Sequence, residues 1–147
     1  MILISHRGNI SGKIVELENK PDYLNSCIDR GFDVETDIRL VENELFLGHD
    51  QPIHKVELSW LDERKSKMWL HCKNLEAFEF FRQKDFNIFW HDVDDYTLTS
   101  KGFIWTYPGK KLSKVSIAVL PEQWTEEKNL NCLGICSDFI DKYSINK

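Results

Sequence analysis

The segment FDVETDIRL, Phe32–Leu40, is the stretch of this sequence that decides the fold. It is rich in apolar and β-branched residues, which is typical of a buried strand. Glu35 and Asp37 lie two residues apart, and side chains at i and i+2 of a strand point to the same face. Carboxylates inside a fold are costly unless they bind something. The segment therefore predicts both a strand and a polar site on one face of it.

Similar short runs recur on both sides of this segment. They predict further strands at Ile2–Ser5, Glu44–Gly48, Met68–Cys72, Phe86–Trp90, Gly102–Thr106, Val115–Val119 and Leu133–Cys136. Helical patterns between some of them predict helices at Pro21–Arg30, Glu57–Lys65 and Asn74–Lys84, with a weaker one at Glu122–Lys128. Alternation of strands and helices predicts a parallel α/β domain that spans residues 1–147.

Two arrangements of such a sheet remain open at this point, an open doubly wound sheet and a (β/α) barrel. A full barrel takes about 250 residues, whereas this chain has 147. The links after Trp90, Thr106 and Val119 are too short or too polar for full helices. A barrel would therefore be compact and trimmed, with several helices shortened or missing.

The composition excludes several functional classes. The chain has 19 basic and 24 acidic residues, a net charge of −5, which argues against a nucleic-acid partner because that interaction needs a broad basic surface. No apolar run is long enough for an integral membrane segment. Met1–Ser5 lacks the basic leader and long apolar run of an export signal, so we expect a cytoplasmic protein.

The four cysteines are too few for a disulfide scaffold. A zinc site built from Cys132, Cys136, Cys72 and His71 is an alternative, but the spacing lacks a CxxC pair. We therefore expect buried reduced thiols.

Ionisable residues gather at the ends of the first predicted strands. SHRG follows strand one at residues 5–8, GHD ends the hairpin at residues 48–50, and HCK ends a strand at residues 71–73. Together with ETD at residues 35–37, these clusters would meet at one edge of a parallel sheet, where catalytic sites of barrels lie. Whether the pair His91-Asp92 also lines that edge or belongs to a polar loop stays open.

These motifs resemble those of the glycerophosphodiester phosphodiesterases. That family belongs to a superfamily of (β/α) barrels that includes phosphatidylinositol-specific phospholipase C. The family pattern is HRG, a PENT-like segment, ExD and HD, and this sequence has HRG at 6–8, LENK at 17–20, ETD at 35–37 and GHD at 48–50, in that order. The resemblance implies a trimmed TIM-type barrel and a metal-dependent phosphoric diester hydrolase that acts on a small glycerophosphodiester or lysophospholipid-like substrate.

The resemblance also implies roles for particular residues. His6 and His49 would be the general acid and base, Lys73 would be a catalytic cation, and Arg7 would bind the substrate phosphate. Glu35 and Asp37 would hold a divalent cation. General acid–base work suits imidazoles that titrate near neutral pH, and cations stabilise the charge that gathers on phosphate oxygens in the transition state.

One position departs from the family pattern. The third metal carboxylate, two residues before the lysine, is His71 here. If His71 binds the metal, an imidazole replaces a carboxylate, which favours Mn²⁺ over Mg²⁺ or Ca²⁺ because the latter two prefer oxygen ligands. The same departure motivates an alternative, a non-catalytic module that binds a phosphate or sugar phosphate. A metal-dependent nuclease is a third alternative, which the acidic net charge disfavours.

Overall fold

The computed structural model describes residues 1–146, with side chains described for residues 1–144. The strands are β1 (Ile2–His6), β2 (Asp33–Val41), β3 (Glu44–Leu47), β4 (His54–Val56), β5 (Met68–Cys72), β6 (Asn87–Phe89), β7 (Tyr96–Leu98), β8 (Ile104–Thr106), β9 (Ser116–Val119) and β10 (Gly134–Ser137). The α-helices are α1 (Pro21–Asp29), α2 (Leu58–Asp62) and α3 (Leu75–Phe81). Short 3₁₀ turns occupy Lys65–Lys67, Pro121–Gln123 and Ile140–Asn146.

All strands belong to one curled, mixed sheet. Its parallel part has the order β6-β5-β2-β1-β10-β9-β8. Three strands run antiparallel to their neighbours: β3 pairs with β2, β4 pairs with β3, and β7 pairs with β8. The first strand of the chain therefore lies in the middle of the sheet, between β2 and the last strand.

The prediction of a trimmed (β/α) TIM-type barrel is wrong. The structure is a half-barrel of mixed β-sheet with only 3 short helices, and within residues 1–146 no strand ladder joins β6 to β7 or β8. A (β/α) barrel needs a helix after each strand to form its outer layer. Here the links that follow β6, β8 and β9 contain a strand, loops or a 3₁₀ turn instead.

Most predicted strands and helices are confirmed with shifts of one to a few residues at their ends. Two strands were missed, β4 and β7, because each has only three residues and shows no clear apolar period. The predicted helix at Glu122–Lys128 is wrong, since the chain forms a 3₁₀ turn at Pro121–Gln123. The four cysteines are free thiols, and the prediction that they are buried is confirmed for Cys27, Cys72 and Cys136 but not for Cys132, which is half-buried.

The two faces of the sheet carry different side chains. One face packs against the helices through residues such as Val34, Ile38 and Leu70, which are fully buried with Leu24 of α1 and Phe81 of α3. The concave face carries a second apolar cluster, formed by Ile4, Trp69, Phe89, Trp105, Ile117, Val119 and Cys136. Ile4 and Trp69 of this cluster lie two residues before His6 and His71 on the same strands, so the cluster lies next to the polar residues on the same face. We call this cluster the apolar floor.

No helix among residues 1–146 has the length and apolar character needed to cross a membrane. This agrees with the prediction from hydropathy.

Gly48 allows the chain to turn sharply where the β3 strand ends. Its φ is +149°, and a Cβ atom on it would lie 2.0 Å from the carbonyl oxygen of Gln51. Its N–H donates to the carbonyl oxygen of Asp37 at 3.1 Å. This turn places His49 directly after β3, at the same end of the sheet as Asp37.

We expect Gly48→Ala to destabilise the fold by about 2 kcal/mol or more, because the new methyl group meets backbone that must move. Gly31→Ala is the matched control. Gly31 also has a positive φ, +92°, but nothing lies within 4 Å of an added Cβ, so its cost is about 1 kcal/mol from backbone strain alone. Urea denaturation of both variants measures the difference, and equal losses of stability would contradict the steric argument.

Candidate functional site

Three neighbouring strands bring the predicted site residues together. In the parallel register of β1 with β2, His6 is paired with Glu35. In the register of β2 with β5, Asp37 is paired with His71. Because each pair is in register on adjacent parallel strands, and Glu35 and Asp37 lie two residues apart, the four side chains share one face of the sheet.

Glu35, Asp37 and His71 form a compact acidic cluster with one imidazole. One donor atom of each lies within 4.8 Å of the others, and all three residues are buried. Nδ1 of His71 is 3.3 Å from Oδ1 of Asp37 and 3.7 Å from Oε1 of Glu35. Donor sets of this composition bind divalent cations in proteins.

The unpaired atoms of this cluster fit a cation site. Oε2 of Glu35 and Oδ1 of Asp37 are buried and accept no hydrogen bond. Nε2 of His71 lies 3.0 Å from the carbonyl oxygen of His91. A carbonyl only accepts, so Nε2 carries the proton, and in the neutral ring the lone pair of Nδ1 faces the two carboxylates. That arrangement is repulsive unless a cation lies between them.

When no metal is bound, a proton on Nδ1 of His71 supplies the positive charge between the carboxylates. Burial disfavours the charged form of His71, but in the protonated ring Nδ1–H can donate to the carboxylates of Asp37 and Glu35, and this outweighs burial and raises the His71 pKa from 6.5 to about 9. The pKa of Asp37 is shifted downwards, since His71, Arg7 and Asn19 offset the effect of its burial. At neutral pH the cluster thus holds an imidazolium between carboxylates.

Arg7 and Asn19 support Asp37 from the other side. Nε of Arg7 lies 3.0 Å from Oδ2 of Asp37, and Nη1 of Arg7 lies 3.3 Å from Oε2 of Glu18. The Asn19 amide donates to Oδ2 of Asp37 at 3.0 Å, and its oxygen accepts from the Asp37 N–H and the Thr36 hydroxyl. The Arg7 side chain therefore holds Asp37 in place rather than pointing freely at a ligand.

His6 is oriented by a residue that sequence reasoning missed. Nδ1 of His6 lies 2.7 Å from Oδ1 of Asp138, which also accepts from the Asn9 amide at 2.8 Å. Nε2 of His6 lies 3.9 Å from Oε2 of Glu35. The His6 pKa is raised, because Asp138 and Glu35 outweigh the effect of burial. A signal for Asp138 existed in the sequence, since it follows the last predicted strand as the other site residues follow theirs.

His49 is placed differently from the other predicted residues. It borders the cleft, but its side chain is 39% exposed and its Nδ1 lies 2.8 Å from the carboxylate of Asp50. Its backbone is held by Arg39, whose guanidinium donates to the carbonyl oxygens of Gly48 and His49. The structure thus gives His49 a fixed backbone and a partly exposed side chain at the border of the cleft.

A cleft of about 440 Å³ connects these groups. Its lining includes every predicted site residue except Asp37, which lies buried behind Glu35 and His71. His91 and Asp92 line the cleft as well, which answers the question that the sequence left open. Lys73 and Lys13 add positive charge at its border, and Trp105, Tyr107, Pro108, Val119, Leu120 and Gln123 complete it.

The alternative zinc site does not form. Among residues 1–146, the only grouping of histidine, cysteine and acidic side chains with metal-binding geometry is Glu35, Asp37 and His71. Burial raises the pKa of Cys72 to about 12 and that of Cys136 well above its usual value, so both thiols stay protonated.

Comparison with known proteins adds no family to this description: no protein-family model, curated protein or solved structure matches the chain.

The raised pKa of His71 predicts a pH-dependent stability of the metal-free protein. The stabilisation from a raised pKa is complete below the unfolded value of 6.5 and is lost as the pH rises through about 9. The free energy of unfolding of chelator-treated protein should therefore fall between pH 6.5 and 9 by an amount on the order of 3 kcal/mol. His71→Gln should reduce this fall, whereas His54→Gln, a change outside the cleft, should keep it. Urea denaturation across this range measures both, and an unchanged fall in His71→Gln would contradict the prediction.

Proposed function

We propose that this protein is a metal-dependent phosphoric diester hydrolase whose substrate is a small glycerophosphodiester or a related lysophospholipid-like diester. The observation that carries this proposal is the meeting of two buried carboxylates, an imidazole whose Nδ1 is directed towards them, and a carboxylate-oriented histidine in one cleft. Lysines at the border of the cleft give it positive charge for an anionic ligand.

The metal ligands in this proposal are Glu35, Asp37 and His71. A bound divalent cation polarises a phosphoryl oxygen and stabilises the negative charge that develops on it. Their donor set of two carboxylates and one nitrogen favours Mn²⁺ over Ca²⁺, because nitrogen donors suit transition metals better than they suit Ca²⁺.

His6 is the proton-transfer group that the contacts support best. Its Nδ1–H donates to Asp138, so Nε2 is the nitrogen available for exchange of a proton with a substrate oxygen. Asp138 also accepts from Asn9, and its backbone N–H donates to Oε1 of Glu122 at 2.9 Å. The ring orientation of His6 is therefore fixed before a substrate arrives.

Lys73 is the cation that we assign to the phosphate. It follows β5 directly, and its backbone N–H donates to the carbonyl oxygen of Ile38 at 2.9 Å, which holds it at the border of the cleft. Arg7 is already ion-paired with Asp37 and Glu18. We therefore propose that the main role of Arg7 is to position Asp37. The family resemblance implied that Arg7 binds the phosphate, and we assign that role to Lys73 instead.

A non-catalytic phosphate-binding module is the second candidate, and the placement of His49 favours it. A hydrolase needs a second proton-transfer group for the leaving alcohol or the nucleophile, and the His49 ring is 39% exposed at the border of the cleft and pairs with the exposed Asp50. The two candidates differ in product formation. A hydrolase releases alcohol from glycerophosphodiesters or from bis(p-nitrophenyl) phosphate in the presence of Mn²⁺, whereas a binding module is stabilised against heat by these compounds without releasing product.

For the hydrolase, we expect His6→Ala and His49→Ala each to lower kcat/KM by about 10²-fold or more, the usual scale of general acid–base catalysis. The dependence of kcat/KM on pH should be bell-shaped for the wild type. One limb of this curve should be lost in His6→Ala and the other limb in His49→Ala. His54→Ala is the control, since His54 lies on β4 and not in the cleft. Near wild-type turnover by a folded His6→Ala protein would exclude His6 from proton transfer.

The metal site predicts a change of ion preference. Glu35→Gln should weaken Mn²⁺ binding by at least tenfold, because one of three ligands loses its charge. His71→Glu should shift the preference towards Mg²⁺ and Ca²⁺, since it restores an all-oxygen donor set. Calorimetric titration of chelator-stripped proteins with each ion measures both effects. An identical ranking of ions for wild type and His71→Glu would place His71 outside the metal site.

A further inference from the structure

One wall of the cleft is apolar and takes no part in the proposed chemistry. It consists of Trp105 and Tyr107-Pro108 on the β8 side and Leu120 on the β9 side. Trp105 is 4% exposed and packs against Phe89 with ring centroids 4.5 Å apart, so this wall continues the apolar floor of the concave face. The groups assigned to the metal and to proton transfer lie on β1, β2 and β5, whereas His91 follows β6 and its ring centroid lies 5.7 Å from that of Tyr107.

Leu120 has a backbone conformation that is unfavourable for leucine. Its φ and ψ are +44° and +54°, in the left-handed region that favours Gly or Asn. The conformation is fixed by a hydrogen bond of 2.7 Å from the Leu120 N–H to the carbonyl oxygen of Cys136, and by the turn that begins at Pro121. The backbone needs only a residue that tolerates this region. The backbone conformation therefore does not explain why this residue is leucine. The leucine side chain packs partly against the apolar floor and borders the cleft, which indicates that the side chain itself has a role there.

We infer that Leu120, Trp105, Tyr107 and Pro108 form a subsite for an apolar ester group of the phosphodiester, a hydrocarbon or aryl substituent. A diester monoanion has one charged phosphate and two organic arms, and this cleft holds the metal-binding and proton-transfer groups on β1, β2 and β5 and an apolar wall on the β8 and β9 side. Binding the phosphate at the metal-binding groups places one arm against the apolar wall, where burial of apolar surface strengthens binding. The inference rests on the proposed phosphodiester site and specifies its substrate class.

Dimethyl phosphate and dibutyl phosphate test this subsite, because they carry the same charge and differ only in apolar surface. Calorimetry with Mn²⁺-loaded wild type should show at least tenfold tighter binding of dibutyl phosphate, since a buried methylene strengthens binding by about threefold to fourfold. Leu120→Asn should reduce this ratio by threefold or more. The variant is expected to fold, because Asn tolerates the left-handed conformation.

Glu42→Asn is the matched control. Glu42 also has a positive φ, +51°, but it lies in the turn between β2 and β3 and is absent from the cleft lining. It should leave the dibutyl-to-dimethyl ratio unchanged. Equal affinity of wild type for the two diesters, or an unchanged ratio in Leu120→Asn, would overturn the inference.

The same proteins separate this inference from the proposed hydrolase activity. The expected ratio without hydrolysis of bis(p-nitrophenyl) phosphate supports the subsite and refutes the catalytic proposal. Hydrolysis with equal affinity for the two dialkyl phosphates refutes the subsite alone. Failure of both diesters to bind refutes both.

Discussion

The buried negative charge on β2 is the constraint on which the structure of the site depends. Asp37 is fully buried and Glu35 is 1% exposed, and ionised carboxylates inside a protein must be compensated by cations or hydrogen-bond donors. The compensation comes from three directions: Arg7 after β1, Asn19 before α1, and His71 on β5. Neighbouring strands and the β1–α1 loop are therefore tied to β2 by charge as well as by backbone hydrogen bonds.

This constraint also explains local backbone conformations that propensity alone disfavours. Arg7 and Asn19 both have positive φ values, +54° and +61°. The N–H of Arg7 donates to the carbonyl oxygen of Glu35, and the N–H of Asn19 donates to the carbonyl oxygen of Arg7, each at 3.0 Å. The loop is thus hydrogen-bonded to itself and to β2, and the unfavourable conformations bring a guanidinium and an amide to the same carboxylate. Strain of this kind is tolerated where the surrounding contacts fix it.

The sequence predicted the local elements of the fold better than its overall arrangement. The strand at Met68–Cys72 has the predicted bounds, because five consecutive buried residues leave little ambiguity. The barrel prediction failed because the resemblance implied a closed barrel, whereas the links beyond β6 hold small strands and turns and, within residues 1–146, β6 pairs only with β5. Within the site, the i, i+2 rule placed Glu35 and Asp37 on one face. It did not place Asp138 beside His6, since Asp138 follows a predicted strand but the pairing of β1 with β10 is a long-range contact that no local pattern encodes. It also could not show that the His49 ring is partly exposed and pairs with Asp50.

The central position of β1 has a consequence for biosynthesis. Ile2 pairs with Gly134, and Ser5 pairs with Ser137, so β1 obtains this neighbour only after β10 has been synthesised. Such distant pairing slows folding, because a long loop must be closed before the contact can form. Until then one edge of β1 is open to other chains, and His6 lacks the carboxylate that orients it. A nascent chain that lacks β10 therefore holds the acidic cluster without its oriented imidazole, and the complete constellation arises only once β10 has paired with β1.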